Sequence, residues 1–227
     1  MAVASVLLLA DSRLPSGGHA HSCGIEMAVT DGLVSTVDNL NLFLRGRLRT
    51  AASMLAGFAA AACLLADTDP DWTRWDRAFS ARTPSAAQRA ASRAQGAALL
   101  RTATHMWDHP ALGGLRRLGR PHHSLVLGAS TAAGLGAPSD AAALAVHHLT
   151  GGTCSAAIRL LGLDPLAVAA IQADLTTLAA AAADIGCQAA HRAVETSDPA
   201  ELPATSAVLP ELLAARHATA EVTLFAS

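Results

Sequence analysis

Lysine is absent from this sequence, and all 16 basic residues among its 227 are arginines. A P-loop uses a lysine to reach nucleotide phosphates, and a Schiff-base enzyme needs a lysine amine. Both classes are therefore excluded. The net charge is only −2, with no clustered basic segment, which argues against nucleic acid as the main partner. A helical transcription regulator is disfavoured for the same reason, since no basic recognition helix is evident.

Strand-forming residues are scarce as well. Aromatic residues make up 3% of the chain, tyrosine is absent, and alanine and leucine dominate the 52% that is hydrophobic. This composition is typical of packed helices. We predict one compact, bundle-like all-α domain of roughly eight to ten helices, over residues 1–195. The polar, proline-containing segment TSDPAELPATS then predicts a linker, so that residues 196–227 form a tethered C-terminal tail that docks on a partner.

Polar residues and prolines predict several helix starts. The segment STVD at 35–38 resembles a capping box ahead of one long helix or two. Pro70, Pro84, Pro138 and Pro165 each stand near the start of an alanine- or leucine-rich run, as prolines of the first helical turn do. Loops are expected at 11–24, 67–69, 109–122 and 196–207.

The four cysteines are scattered without a CxxC pair, which favours reduced thiols over a disulfide framework. The apolar start MAVASVLLLA lacks a basic region and a clear cleavage site, so a signal peptide is not expected. No run that is both uncharged and continuously apolar reaches the ~18 residues of a spanning helix. The sequence therefore predicts a soluble cytoplasmic protein with no membrane partner.

The segment LPSGGHAHSCGIE at 14–26 is the most unusual in the chain. His19, His21 and Cys23 have the H-x-H-x-C spacing and ligand types of a Ni²⁺, Cu²⁺ or Zn²⁺ site, which leaves a metal-binding protein or metalloenzyme as an alternative. Packing at a loop-to-helix junction is the competing interpretation. For Gly17 and its neighbours Gly18 and Gly24, a tight turn is favoured over an anion site.

Other groups of residues in the sequence give weaker evidence for a functional site. No G-x-S-x-G, H-E-x-x-H or E-x-x-H motif occurs, so an enzyme is not favoured. The adjacent pairs 122–123 and 147–148 of histidines are expected on helix surfaces or at caps. Arg89, Ser92, Arg93 and Gly96 share one helical stripe, which is either a close helix contact that offers donors to a carboxylate or a solvated face.

Several blocks together resemble one family, the urease accessory protein UreF. LPSGGHAHSCGIE is similar to that family's opening signature, L-P-x-G-G-[FH]-x-[YH]-S-x-G-[LIV]-E. RAASRAQGAALLRTA, HSLVLG and AAIRLLGLDP are similar to later family segments, and the terminal RHATAEVTLFAS resembles H-x-x-x-x-x-R-L-F-x-S. The blocks keep the family's order and span nearly the whole chain.

The resemblance implies an all-α chaperone without enzymatic activity or cofactor that takes part in nickel insertion into urease. Its implied partners are UreD (also called UreH), the GTPase UreG and apo-urease, with a homodimer inside the complex. Regulation of UreG would then be its task. This agrees with the missing lysine, since the nucleotide would be handled by a partner.

The resemblance also implies which residues bind partners. From the opening signature these are Gly17, Gly18, His19, His21, Ser22 and Glu26. The helical stripe contributes Arg89 and Arg93 to packing or partner contacts, and the tail contributes His217, Leu224 and Phe225. No metal ligand is expected. Thr223 replaces the family's arginine, while His21 and Cys23 stand where many relatives have other residues.

Overall fold

The computed structural model describes residues 2–18, 21–206, 208–218 and 224. They form eleven α-helices and no β-strand, which confirms the predicted all-α fold and slightly exceeds the expected helix number. The helices are α1 (Ala2–Ala10), α2 (Ile25–Thr30), α3 (Val37–Leu64), α4 (Trp72–Ala81), α5 (Ala86–Met106), α6 (Pro110–Arg116), α7 (His123–Ala133), α8 (Pro138–Leu161), α9 (Pro165–Asp174), α10 (Thr176–Glu195) and α11 (Val208–His217).

Helix α3 forms the axis of the molecule, as a single helix of 28 residues. Its second half is buried on nearly every side, because α7, α8 and α10 all pack against it. Small residues allow these close crossings. A Cβ added at Gly128 of α7 would collide with the Ala59 carbonyl oxygen, and one at Gly186 of α10 would lie 2.6 Å from the Gly57 nitrogen. The alanine-rich composition thus produces a core in which backbones approach each other directly.

The helix starts agree only partly with the sequence. Pro138 and Pro165 occupy the first helical position, as predicted. The capping-box prediction is wrong by one residue, because the Thr36 hydroxyl is the acceptor for the Asn39 N–H, at 3.2 Å. Pro70 and Pro84 are not first helical residues. Each precedes an N-cap, since the side chains of Asp71 and Ser85 accept the orphan N–H groups of the first turn.

The predicted loop at 109–122 was also wrong in part. It contains α6, which starts at Pro110 behind His109, whose side chain accepts the Ala111 N–H at 3.3 Å. An imidazole nitrogen replaces the hydroxyl or carboxylate of a common N-cap, so the usual sequence signal was missing.

The segment after α10 is packed against the helical body. A 3₁₀ turn, Pro199–Glu201, follows α10, and Leu202 is buried. The Arg82 guanidinium donates to the carbonyl oxygens of Pro199 at 2.8 Å and of Pro203 at 3.1 Å, among others. Helix α11 then lies against α2 and α5.

Two further features concern the whole molecule. The four cysteines are free thiols, as expected. No single helix within residues 2–18, 21–206 and 208–218 has both the length and the apolar character needed to cross a membrane. The pair α9 and α10, bent by 50° at their junction, meets both criteria only when taken together.

Candidate partner-binding site

The glycine-rich loop, residues 11–24, is held against α5. The Pro15 carbonyl accepts the Thr102 hydroxyl at 2.6 Å. Gly17 has a φ of +78°, and a Cβ at this position would lie 3.1 Å from the Cβ of Ala98. Gly17 therefore serves both the turn and the close approach to α5. Gly18 has no positive φ, and a Cβ there would make only an ordinary contact, 3.8 Å from the Ser16 hydroxyl oxygen.

The turn into α2 uses two successive left-handed residues. Cys23 has a φ of +54° and Gly24 one of +84°. The Cys23 sulfur faces α8, because a Cβ at Gly152 would lie 3.1 Å from it. This geometry agrees with the interpretation of the segment as a packed loop-to-helix junction, and it places His21 and Ser22 in buried positions.

The proposed H-x-H-x-C metal cluster is not described as a whole, because His19 lies outside the described residues. Among the residues that the structure describes, no group of three or more His, Cys, Asp or Glu side chains is arranged to hold a metal ion. The metal-binding alternative therefore gains no structural support here.

Three residues predicted from opposite ends of the chain meet in one place. Glu26, buried on α2, accepts a hydrogen bond through Oε2 from His217 Nε2 at 2.8 Å. Its other oxygen, Oε1, accepts the backbone N–H of Leu224 at 2.6 Å. We call this group, Glu26, His217 and Leu224, the tail clasp. It attaches the end of α11 and the Leu224 backbone to the start of α2.

A second link reinforces the tail clasp from outside. Arg216, next to His217, forms an ion pair with Asp31 at the C-terminal end of α2. Helix α11 is thus fixed to both ends of α2. Its outward face is apolar, with Val208 73%, Leu209 48% and Leu212 59% exposed, and Leu224 is 75% exposed. Phe225 lies outside the described residues, so its expected docking stays a prediction.

The arginine stripe of α5 faces the inside of the molecule. Arg93 binds the Asp76 carboxylate, with Nη2 2.6 Å from Oδ2, and Arg89 donates to the carbonyls of Thr83 and Pro84. A Cβ at Gly96 would collide with the Pro121 carbonyl oxygen. The predicted close contact and carboxylate partner are therefore present, although the element approached is the segment before α7 rather than a helix.

His122 is the polar centre behind this stripe. It is fully buried, stacked on Phe79 at 4.3 Å, and hydrogen-bonded to Ser80 at 2.8 Å and Ser92 at 3.0 Å. Burial lowers its pKa to about 4, despite the nearby Asp76. His122 is the N-cap residue of α7, as one of the two expected roles has it, but its side chain makes no capping hydrogen bond, and the expected surface position is wrong. Nothing in the local sequence shows that Ser80 and Ser92 bring it two partners.

The wider comparison with known proteins agrees with the resemblance seen in the sequence. The family model UreF matches residues 34–176. The urease accessory protein UreF of Mycolicibacterium vanbaalenii is 40% identical over 225 residues, which cover 99% of both chains. That of Mycobacterium marinum is 41% identical over 229 residues and 99% of both chains. The chain belongs to the UreF family.

Membership in the UreF family extends to the candidate site. The family model begins after the glycine-rich loop and ends before α11. The alignments with the full-length UreF relatives, in contrast, include both segments. A further UreF relative, from Mycobacterium bovis, is 42% identical over 179 residues, 78% of this chain and 81% of its own. The two elements joined by the tail clasp thus belong to the part of the chain that full-length UreF relatives share.

Proposed function

We propose that this protein is a non-enzymatic chaperone of nickel insertion that works with UreD (UreH), the GTPase UreG and apo-urease. Nickel is the cargo of this process, not a resident cofactor of the chain. The urease accessory role in the names of its relatives supports the process. The absence of lysine supports the division of labour, since the phosphate-binding lysine of a P-loop must come from another protein.

The tail clasp is the observation that carries this proposal. It presents residues from both ends of the chain on one side of the molecule. On that side the apolar face of α11 is exposed as a row formed by Val208, Leu209 and Leu212. Contiguous exposed apolar side chains at a polar rim are typical of protein interfaces. We assign this face, together with Gly17 and Gly18, to the binding of UreD and UreG, and the buried Ser22 and Glu26 to its support from inside.

The same proposal includes a cytoplasmic location and a homodimer within the complex. Leu166 of α9 is 79% exposed, and α9 packs against α3, α8 and α10 whereas α11 packs against α2 and α5, so a second copy has an apolar residue to bury outside the α11 face. Two copies would place two UreG-binding faces in one assembly. Arg89 and Arg93, which are engaged inside the chain, would then support the fold of the interface rather than contact UreG directly.

Size-exclusion chromatography with light scattering tests the proposal, on the chain co-expressed with its cognate UreD and UreG. We expect a defined complex with two copies of this chain, from which GTP releases UreG. Leu212→Asp on α11 should abolish co-elution, whereas Ile185→Asp on α10, at a similarly exposed position, should not. Elution of the unaltered chain by itself under all conditions, or equal behaviour of the two variants, would contradict the proposal.

A further inference from the structure

A cleft of about 470 Å³ runs through the molecule between α5 and the pair α3 and α8. The glycine-rich loop closes one side of it, and α11 closes another. Its rim includes the exposed residues His147, Ser155, Thr205 and Ser206, so small solutes can enter from solvent.

Most polar groups in the cleft walls are uncharged at neutral pH. Burial raises the pKa of the Cys23 thiol, so it stays protonated. Burial also lowers the pKa of His123 to about 3 and lowers that of His148, whose Nε2–H donates to the Leu9 carbonyl at 2.9 Å. The electrostatic character of the interior therefore depends on its few permanent charges.

Arg47 is one of the few charged residues on these walls, which also include Asp11, Arg82, Arg159 and Glu211. Its Nε is fully buried and has no hydrogen-bond partner in the part of the chain that the structure describes. No ion pair involving Arg47 occurs among the described residues either. Glu211 lies on the same wall, but its Oε2 accepts the Ser85 backbone N–H at 2.5 Å. Burial lowers the pKa of Arg47, an effect that the nearby Glu211 carboxylate opposes without bonding to the guanidinium.

Arg82, another arginine of the cleft, differs from Arg47 because its guanidinium has hydrogen-bond partners. Arg82 also lines the cleft, yet its nitrogens donate to the carbonyls of Pro199, Leu202 and Pro203. Arg47 has the same five donors and the same fixed charge, but none of these partners. A desolvated guanidinium nitrogen without an acceptor is unfavourable, so an acceptor that enters the cleft is favoured there.

We infer that Arg47 and the surrounding cleft form a binding site for a small oxyanion of the carboxylate or phosphate class. The planar guanidinium matches two oxygens of such an anion with paired N–H donors. The neutral walls strengthen the attraction, because a low local dielectric screens it little. The volume of the cleft exceeds that of a phosphate ion, so the anion can enter together with water or as part of a larger solute.

Isothermal titration calorimetry with inorganic phosphate on the purified full chain is the direct test. Saturable binding at one site per chain is expected, and its absence would overturn the inference. Arg47→Leu should weaken phosphate binding at least tenfold. Arg49→Leu, which removes an exposed arginine two residues further along α3, is the matched control and should bind phosphate as the unaltered chain does.

Thermal unfolding separates a site from a general salt effect. Phosphate and acetate are compared with chloride at equal ionic strength and pH, for the unaltered chain and both variants. Stabilisation that saturates and disappears only in Arg47→Leu supports the inference. Equal stabilisation of all three proteins would show an unspecific effect and overturn it. The calorimetric result on the unaltered chain decides the matter if Arg47→Leu does not fold.

Discussion

Glu26 and His217 stand 191 residues apart in the chain, and their side chains are 2.8 Å apart in the fold. Both are buried, with 8% and 7% of their side-chain surface exposed. Because the Leu224 N–H binds the other carboxylate oxygen, this one glutamate contacts both the end of α11 and Leu224.

A double-mutant cycle measures the strength of this contact. We expect Glu26→Ala and His217→Ala to show a coupling free energy of roughly 1–3 kcal/mol, because each single change leaves a buried polar partner unsatisfied. The exposed pair Arg74 and Asp198 serves as the matched control and should couple by less than about 1 kcal/mol. The free energies of unfolding come from urea titrations. Equal coupling free energies in the two cycles would show that burial does not strengthen the contact between Glu26 and His217.

The second prediction concerns the approach of α7 to α3. Gly128→Ala should destabilise the protein by roughly 1–3 kcal/mol or more, because the new methyl group meets the Ala59 backbone carbonyl, which cannot rotate away. Gly46→Ala adds the same methyl group to α3 where nothing lies within 4 Å. It should stabilise the protein by about 0.5–1 kcal/mol through helix propensity. Thermal or urea unfolding checks both signs, and destabilisation by Gly46→Ala would contradict this account.

The third prediction is a pH dependence that arises from His122. Its pKa in the fold, about 4, lies below the ordinary 6.5, so the fold favours the neutral imidazole. The resulting stability is complete above pH 6.5 and is lost as the pH falls from 6.5 towards 4. Between pH 7.5 and pH 5, His122 should account for a loss of roughly 2 kcal/mol.

Urea unfolding at these two pH values, on three proteins, tests the assignment. His122→Gln should lose less stability on acidification than the unaltered chain, while His123, with its own low pKa, keeps part of the effect. His191→Gln changes an exposed histidine on α10. This variant should lose as much stability on acidification as the unaltered chain does. The assignment to His122 fails if its replacement leaves the pH dependence unchanged.

The sequence predicted the elements that depend on local chemistry. The all-α fold follows from alanine and leucine content, and Pro138 and Pro165 start helices where they stand. Pro70 and Pro84 misled because proline is equally compatible with the position before an N-cap. The N-cap is the residue whose side chain accepts a hydrogen bond from the free N–H groups of the first helical turn. The side chains of Asp71 and Ser85 both accept such a hydrogen bond, and a proline in the sequence does not by itself predict it.

The candidate site was predictable in its members but not in its connections. Glu26, His217 and Leu224 were identified from separate motifs, and only the fold shows that they touch one another. Arg47 carried no motif at all. Its importance comes from the absence of a partner in a buried place, and that depends on how α3 faces the cleft. A pattern of residue types along one helix contains no information about that orientation.

The packing of the segment before α11 has a consequence for loop closure. A contact between residues 191 positions apart would carry a large entropic cost in a free chain. Here Arg82 binds the carbonyls of Pro199 and Pro203, and the Thr205 hydroxyl donates to the Thr50 carbonyl at 2.5 Å, so the chain up to Thr205 is already held against the helical body. The tail clasp therefore closes a loop most of whose residues are already held in place. Loss of the Arg82 contacts would lengthen the part of the chain that is free to move. It would therefore weaken the tail clasp, although no atom of Glu26, His217 or Leu224 is changed.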